Sequence, residues 1–242
     1  MDKKNIVYAL LPFIFISILL FISYFGNQWY AETFGNPGVD YSYILYSINI
    51  KVPFLEWTIY PYVLAYPFWI GTFFYIAYHS KKAFFTSFTI LSVLFIICGI
   101  WYFFFQSDVE SWRLTSGLFL NNNYSTPRSD LNFSEKLVLL IYDAAGPRNA
   151  LPSLHTIISW VCLISLRMIK DTPIIPKIII WVMSLSIIVA TQTLKQHYII
   201  DLIVGIALAE SSYWVLKDSK LVNWFEAFFS RINQQTKLNL EE

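Results

Sequence analysis

FFTSFTILSVLFIICGIWYFFF, Phe84 to Phe105, runs for 22 residues without one Asp, Glu, Lys or Arg. The hydrocarbon core of a bilayer is roughly 30 Å thick and is crossed by about 20 apolar residues in a helix. A surface helix of a soluble domain keeps a polar face, and this stretch has none. It reads as a membrane span, and that reading sets the solvent for the rest of the chain.

Composition carries the same message over the full 242 residues: 56% are hydrophobic, 19% aromatic and only 14% charged, against roughly 25% charged in an ordinary soluble domain. Net charge is +1, so no basic excess points to nucleic acid and no acidic tail to a solvated arm. The partner implied is lipid. Cys98 and Cys162 both lie in apolar runs with no Cys or His at metal-ligand spacing, and they read as small apolar fillers.

Working outward from Phe84, five more apolar runs approach spanning length. The expected spans are about 6–25, 59–78, 84–105, 154–169, 174–191 and 198–216, an all-α six-helix membrane bundle forming one domain over 1–242. Lys170, Asp171 and Pro173 predict a tight turn between the fourth and fifth. The first run follows Lys3 and Lys4 as in a signal sequence, but it is long and lacks a small-residue cleavage site, so it is expected to stay as an anchor.

With the N-terminus inside, Lys3, Lys4, Lys81, Lys82, Arg167, Lys170, Lys177, Lys217, Lys220, Arg231 and Lys237 fall on the cytoplasmic side. Lys51, Arg113, Arg128, Lys136, Arg148 and Lys195 fall outside, most of them in the long 107–153 loop. Both termini are therefore expected in the cytoplasm of a multi-pass cell-membrane protein. Within the loop, NFSEKLVLLIYDAA predicts a short amphipathic helix at the membrane surface, and beyond Lys217, VNWFEAFFSRINQQTK predicts an interfacial helix leading a cytoplasmic tail, 217–242.

Ionisable groups at membrane depth are costly unless paired or wetted, so those at span edges are functional candidates. LPSLHT, Leu151 to Thr156, sets Pro152, Ser153 and His155 at a helix start, where free N–H groups and partial positive charge suit a phosphate. LKQHYIIDLIVG, Leu194 to Gly205, sets His197 and Asp201 four apart on one helical face. A carboxylate on one imidazole nitrogen leaves the other as a lone pair, the requirement of a nucleophile or general base. Lys195 adds a cation. The topology brings both clusters to one outer rim, where two histidines, a carboxylate and basic residues surround one phosphoryl group. Capping or snorkelling remains the alternative for each histidine, and is the preferred reading for His79 beside Lys81 and Lys82. Metal ligation by His155, His197 and Asp201 is a further alternative, without a close-spaced zinc motif behind it.

PSLH followed by TLKQHYIIDLIVG resembles the type 2 phosphatidic acid phosphatase superfamily, whose membrane members have six spans and motifs of the form PSGH and SRxxxxxHxxxD. The pattern is similar to the branch that includes inositol phosphorylceramide synthases, where PSLH and HYxxD occur. The resemblance covers roughly the second half of the chain. It implies a metal-free, cofactor-free enzyme in which His197 attacks phosphorus, Asp201 orients it, His155 protonates the leaving oxygen, and Ser153 with nearby amides holds the phosphoryl oxygens. The implied activity is hydrolysis of a lipid phosphomonoester or pyrophosphate, with head-group transfer to an alcohol as the alternative.

The chain departs from the family pattern in two places. Thr191 stands where the third motif has its arginine, with Lys195 near enough to replace the charge, and the first motif, KxxxxxxRP, has no clean match. Arg128 and Arg148 are the phosphate-contact candidates in its place. A chain lacking that clamp could also be a non-catalytic lipid-binding or transport protein, but a transporter needs polar groups near the midplane of several helices, and here they gather at one rim.

Overall fold

A computed structural model describes residues 6–235. Lys3, Lys4, Lys237 and the last residues of the expected tail lie outside the described residues. Among the described residues the architecture is all-helical, with isolated bridges and no strand. In chain order the α-helices are α1 (Leu10–Phe21), α2 (Asn27–Thr33), α3 (Tyr46–Asn49), α4 (Ile59–Val63), α5 (Ala65–His79), α6 (Lys81–Phe104), α7 (Glu110–Leu114), α8 (Phe133–Ala145), α9 (Leu154–Met168), α10 (Ile174–Thr193), α11 (Ile199–Leu216) and α12 (Lys220–Gln235).

Among the described residues, four helices are long and apolar enough to cross a bilayer: Val7–Thr33, in which a π turn at Ile22–Gly26 joins α1 to α2, then α6, α10 and α11. The other two expected spans are shorter. The run 59–78 breaks at Leu64 into α4 and α5, in a segment where Pro61 and Pro67 each remove a backbone donor. α9 has only 15 residues, but it is the central helix, packed against α5, α6, α10 and α11. A helix sheathed by protein need not match the hydrocarbon thickness, and 11 of its residues are buried.

The turn between α9 and α10 falls at 169–173, with Asp171 at φ 59°. The amphipathic stretch of the long loop forms α8, opened by a capping box in which Asn132 and Glu135 each accept the other's backbone N–H. Its buried residues are Val138 and Tyr142, and the Tyr142 hydroxyl donates to Leu194 O at 2.7 Å, tying α8 to the end of α10. α12 lays Phe225 and Phe229 on Phe88 of α6, with ring centroids 5.1 and 5.3 Å apart. Cys98 and Cys162 are buried free thiols, and His79 sits between the rings of Tyr75 and Tyr78.

Candidate active site

The two histidines meet where the starts of α9 and α11 converge. Ser153, the N-cap of α9, accepts from Thr156 N at 3.3 Å, while its own backbone N donates to Asp201 O at 3.2 Å. Gly205 permits this approach: a Cβ there would stand 3.2 Å from Ser153 O and 3.3 Å from Thr156 Cβ. The start of α11 is held from outside by Asn49, whose Oδ1 accepts from Ile199 N at 3.0 Å.

His197 Nδ1 and Asp201 Oδ2 are 3.2 Å apart, and the same oxygen accepts from Tyr198 N at 3.0 Å. Asp201 is fully buried. The carboxylate therefore accepts a hydrogen bond from Nδ1–H and leaves Nε2 as the basic nitrogen. His155 stacks on Tyr62 at 4.5 Å and faces His197 with ring centroids 6.4 Å apart.

Both histidines line a narrow cavity of ≈ 10 Å³ together with Arg113, Arg148, Asn149 and Gln196. Arg113 was outside every site reading of the sequence. It is 1% exposed, and it donates to Tyr124 Oη at 2.8 Å, Tyr142 O at 2.9 Å, Gln196 Oε1 at 2.6 Å and Gly146 O. Every one of these acceptors is neutral, and none of the ion pairs among the described residues includes it. A buried guanidinium without a counter-ion costs several kcal/mol, so the cavity is electrostatically prepared for an anion. Arg113 Nε, Gln196 Nε2 and His155 Nε2 are buried there without a hydrogen-bond partner.

The sequence did hold a signal for Arg113. Gln106 precedes it by seven residues, the spacing of lysine and arginine in KxxxxxxRP, with Gln106 in place of the lysine and Leu114 in place of the proline. Gln106 is buried and grips Asn149, donating to its Oδ1 at 2.8 Å and accepting from its N at 2.8 Å.

The structure does not bring all the expected residues together. Arg148 lines the cavity, but its guanidinium is paired with Asp108 at 2.5 Å and also donates to Pro37 O. Arg128 is elsewhere, paired with Asp130 at 3.1 Å and Glu135 at 3.4 Å and donating to Gly117 O. Lys195 does not line the cavity; its Nζ donates to Val52 O at 2.5 Å and rests 3.8 Å from the Trp112 ring centroid. Burial lowers the Lys195 pKa to about 8. Thr191 is buried in the last turn of α10, where its carbonyl accepts from Gln196 N and His197 N. Among the described residues, no group of three or more His, Cys, Asp or Glu converges as a metal site would.

A family model described as PAP2 superfamily matches residues 51–215, more than half of the 242-residue chain. The chain belongs to the PAP2 superfamily. Its matched region holds the whole cavity lining except Tyr24, and membership places the protein with phosphatase and phosphotransferase-type membrane enzymes. The chain matches no curated protein and no solved structure.

Proposed function

We propose that this PAP2 superfamily member hydrolyses the phosphate ester or pyrophosphate of a membrane lipid through a phosphohistidine at His197. The observation that carries this reading is the cavity itself: a counter-ion-free Arg113 and three unpartnered polar atoms surround the same space as a carboxylate-bound imidazole.

In the first step the His197 Nε2 lone pair attacks phosphorus, the bond from phosphorus to the lipid oxygen breaks, and protonated His155 gives its proton to that oxygen. In the second, neutral His155 takes a proton from water, the water oxygen attacks phosphorus, and the phosphorus–nitrogen bond breaks to release phosphate and restore His197. Asp201 holds the tautomer and offsets the positive charge His197 carries in the intermediate. Arg113 and Gln196, with the first backbone N–H groups of α9 that Ser153 caps, stabilise the phosphoryl oxygens as charge builds on them. The route needs no metal or organic cofactor as co-reactant.

Head-group transfer to an alcohol is the alternative outcome, and PSLH is the feature in its favour.

In this reading α4 with α5, and α9, complete six crossings in a single membrane domain, with α8 at the interface. The site faces the extracytoplasmic side. α6 supports that orientation: Tyr102 near one end donates to Pro152 O beside the histidines, while Lys81 and Lys82 begin the other.

Phosphate release from a panel of lipid phosphates by the purified protein tests the reading, with His197→Ala as the comparison. Release by wild type that the variant loses supports it, and release that survives in the variant refutes it. Head-group transfer seen only when an alcohol is added would replace hydrolysis by the transferase reaction.

A further inference from the structure

Two apolar cavities continue from the polar one. The first, ≈ 120 Å³, shares Tyr24, Tyr62, Leu154 and His155 with the histidine cavity. The second, ≈ 160 Å³, shares Leu20, Tyr66, Trp69 and Ile158 with the first. Their order is the same on three separate helices. Along α9 the lining passes from His155 through Ile158 to Val161 and Ser165; along the first long helix it passes from Tyr24 through Leu20 to Phe13; along α5 it passes from Tyr66 through Trp69 to Ile76. The space is therefore a track parallel to the helix axes.

At a rise of about 1.5 Å per residue, His155 to Ser165 covers roughly 15 Å, half of the roughly 30 Å hydrocarbon core and so the depth of one leaflet. Its upper end is the phosphate cavity, its walls are almost wholly apolar, and its waist is Trp69, held in place by donating Nε1–H to Ser159 Oγ at 3.1 Å. The floor is closed by a hydroxyl pair, Ser87 and Ser165, 2.7 Å apart. A molecule that fills both ends has a phosphate at one and a hydrocarbon chain at the other.

We propose that this track is the chain-binding subsite: one hydrocarbon chain of the phosphorylated lipid enters beside His155, passes Trp69 and ends near Ser165, so that the protein selects its substrate by chain length within one leaflet. The proposal rests on the functional reading above for the phosphate end, while the chain end is tested separately.

Monoacylglycerol 3-phosphates of increasing chain length are given to the full-length protein in detergent. Wild type gives kcat/KM rising with length and levelling once the chain reaches the floor. Val161→Trp, which fills the second cavity, lowers the ratio of long-chain to short-chain kcat/KM at least ten-fold, whereas Val182→Trp on the exposed face of α10 does not move it. An unchanged ratio in Val161→Trp overturns the proposal.

The second measurement requires no turnover. A monoacylglycerol 3-phosphate with a photoreactive group at the chain end is crosslinked to wild type and to His197→Ala, and the labelled residues are mapped. Label on Phe13, Ile76 or Val161 in both proteins establishes the track even if no lipid is hydrolysed, in which case the hydrolytic reading alone fails. Label confined to outward-facing residues such as Val182 overturns the track, whatever the activity.

Discussion

Arg113 donates to Gln196 Oε1 at 2.6 Å, and Gln196 precedes His197 in the chain. A guanidinium carried by the long loop is thereby fixed beside the His197 imidazole, the proposed nucleophile, with no carboxylate to neutralise it. Arg113→Lys keeps the charge but loses the fork that reaches four acceptors at once. Its kcat/KM on a lipid phosphate is expected to fall by about 10²-fold, the scale of losing one fixed donor to a developing oxyanion. Arg128→Ala, at a site tied up in exposed ion pairs, is expected to stay within about two-fold. Steady-state kinetics on the two variants distinguish these outcomes.

Asp201→Asn keeps the shape of the side chain and removes the charge that fixes the His197 tautomer. With the imidazole free to carry its proton on Nε2, kcat is expected to fall by about 10⁴-fold, as when the carboxylate of a catalytic triad is replaced by its amide. The folded fraction, followed by thermal unfolding, is expected to remain high. A variant within ten-fold of wild type would mean that Asp201 has no part in the chemistry.

Gly205→Val places a branched side chain where Ser153 O and the Thr156 side chain leave only 3.2–3.3 Å for a Cβ. Overpacking of this kind costs about 1–3 kcal/mol. Because the displaced groups belong to the start of α9, His155 moves away from His197 with them. Activity is expected to be lost at temperatures where the variant is still folded, shown by phosphate release beside a melting curve.

Lys195 titrates near pH 8 in the folded protein, well below its ordinary value of 10.5, because burial penalises its charge. The unfolded chain therefore binds this proton more tightly, and between about pH 8 and 10.5 unfolding takes up a proton. Lys195 thus makes stability rise with pH across that window, and its contribution is lost as pH falls through about 8. Thermal unfolding at pH 8 and pH 10 is expected to show a smaller rise in Lys195→Met than in wild type.

Much of this architecture is legible in the residues. The uninterrupted run at Phe84–Phe105 identifies α6, and Lys170, Asp171 and Pro173 mark the turn before α10, because both signals act locally. His197 and Asp201 meet, but not on one helical face: His197 stands before Tyr198, the N-cap of α11, and Asp201 in the first turn reaches back to it and to Tyr198 N. What fails is whatever depends on the neighbours of a segment. The lengths of α5 and α9 are set by the helices around them, so bilayer thickness alone does not give them: among the described residues, four helices reach that length. Lys195, one residue from the pair at Gln196 and His197, turns to Val52 and Trp112 because the left-handed backbone at Lys195, φ 56°, directs its side chain away. Arg113 was hidden because its motif is degenerate at both flanks and because a charge in a loop reads as solvated until the fold buries it.

The most direct test of the account is a rapid quench with a lipid phosphate radiolabelled in its phosphoryl group, followed by peptide mapping. A phosphohistidine at His197 predicts acid-labile, alkali-stable label on the peptide carrying His197, formed in wild type and absent from His197→Ala. Turnover by wild type with no label on His197, or label and activity that persist in His197→Ala, would contradict it.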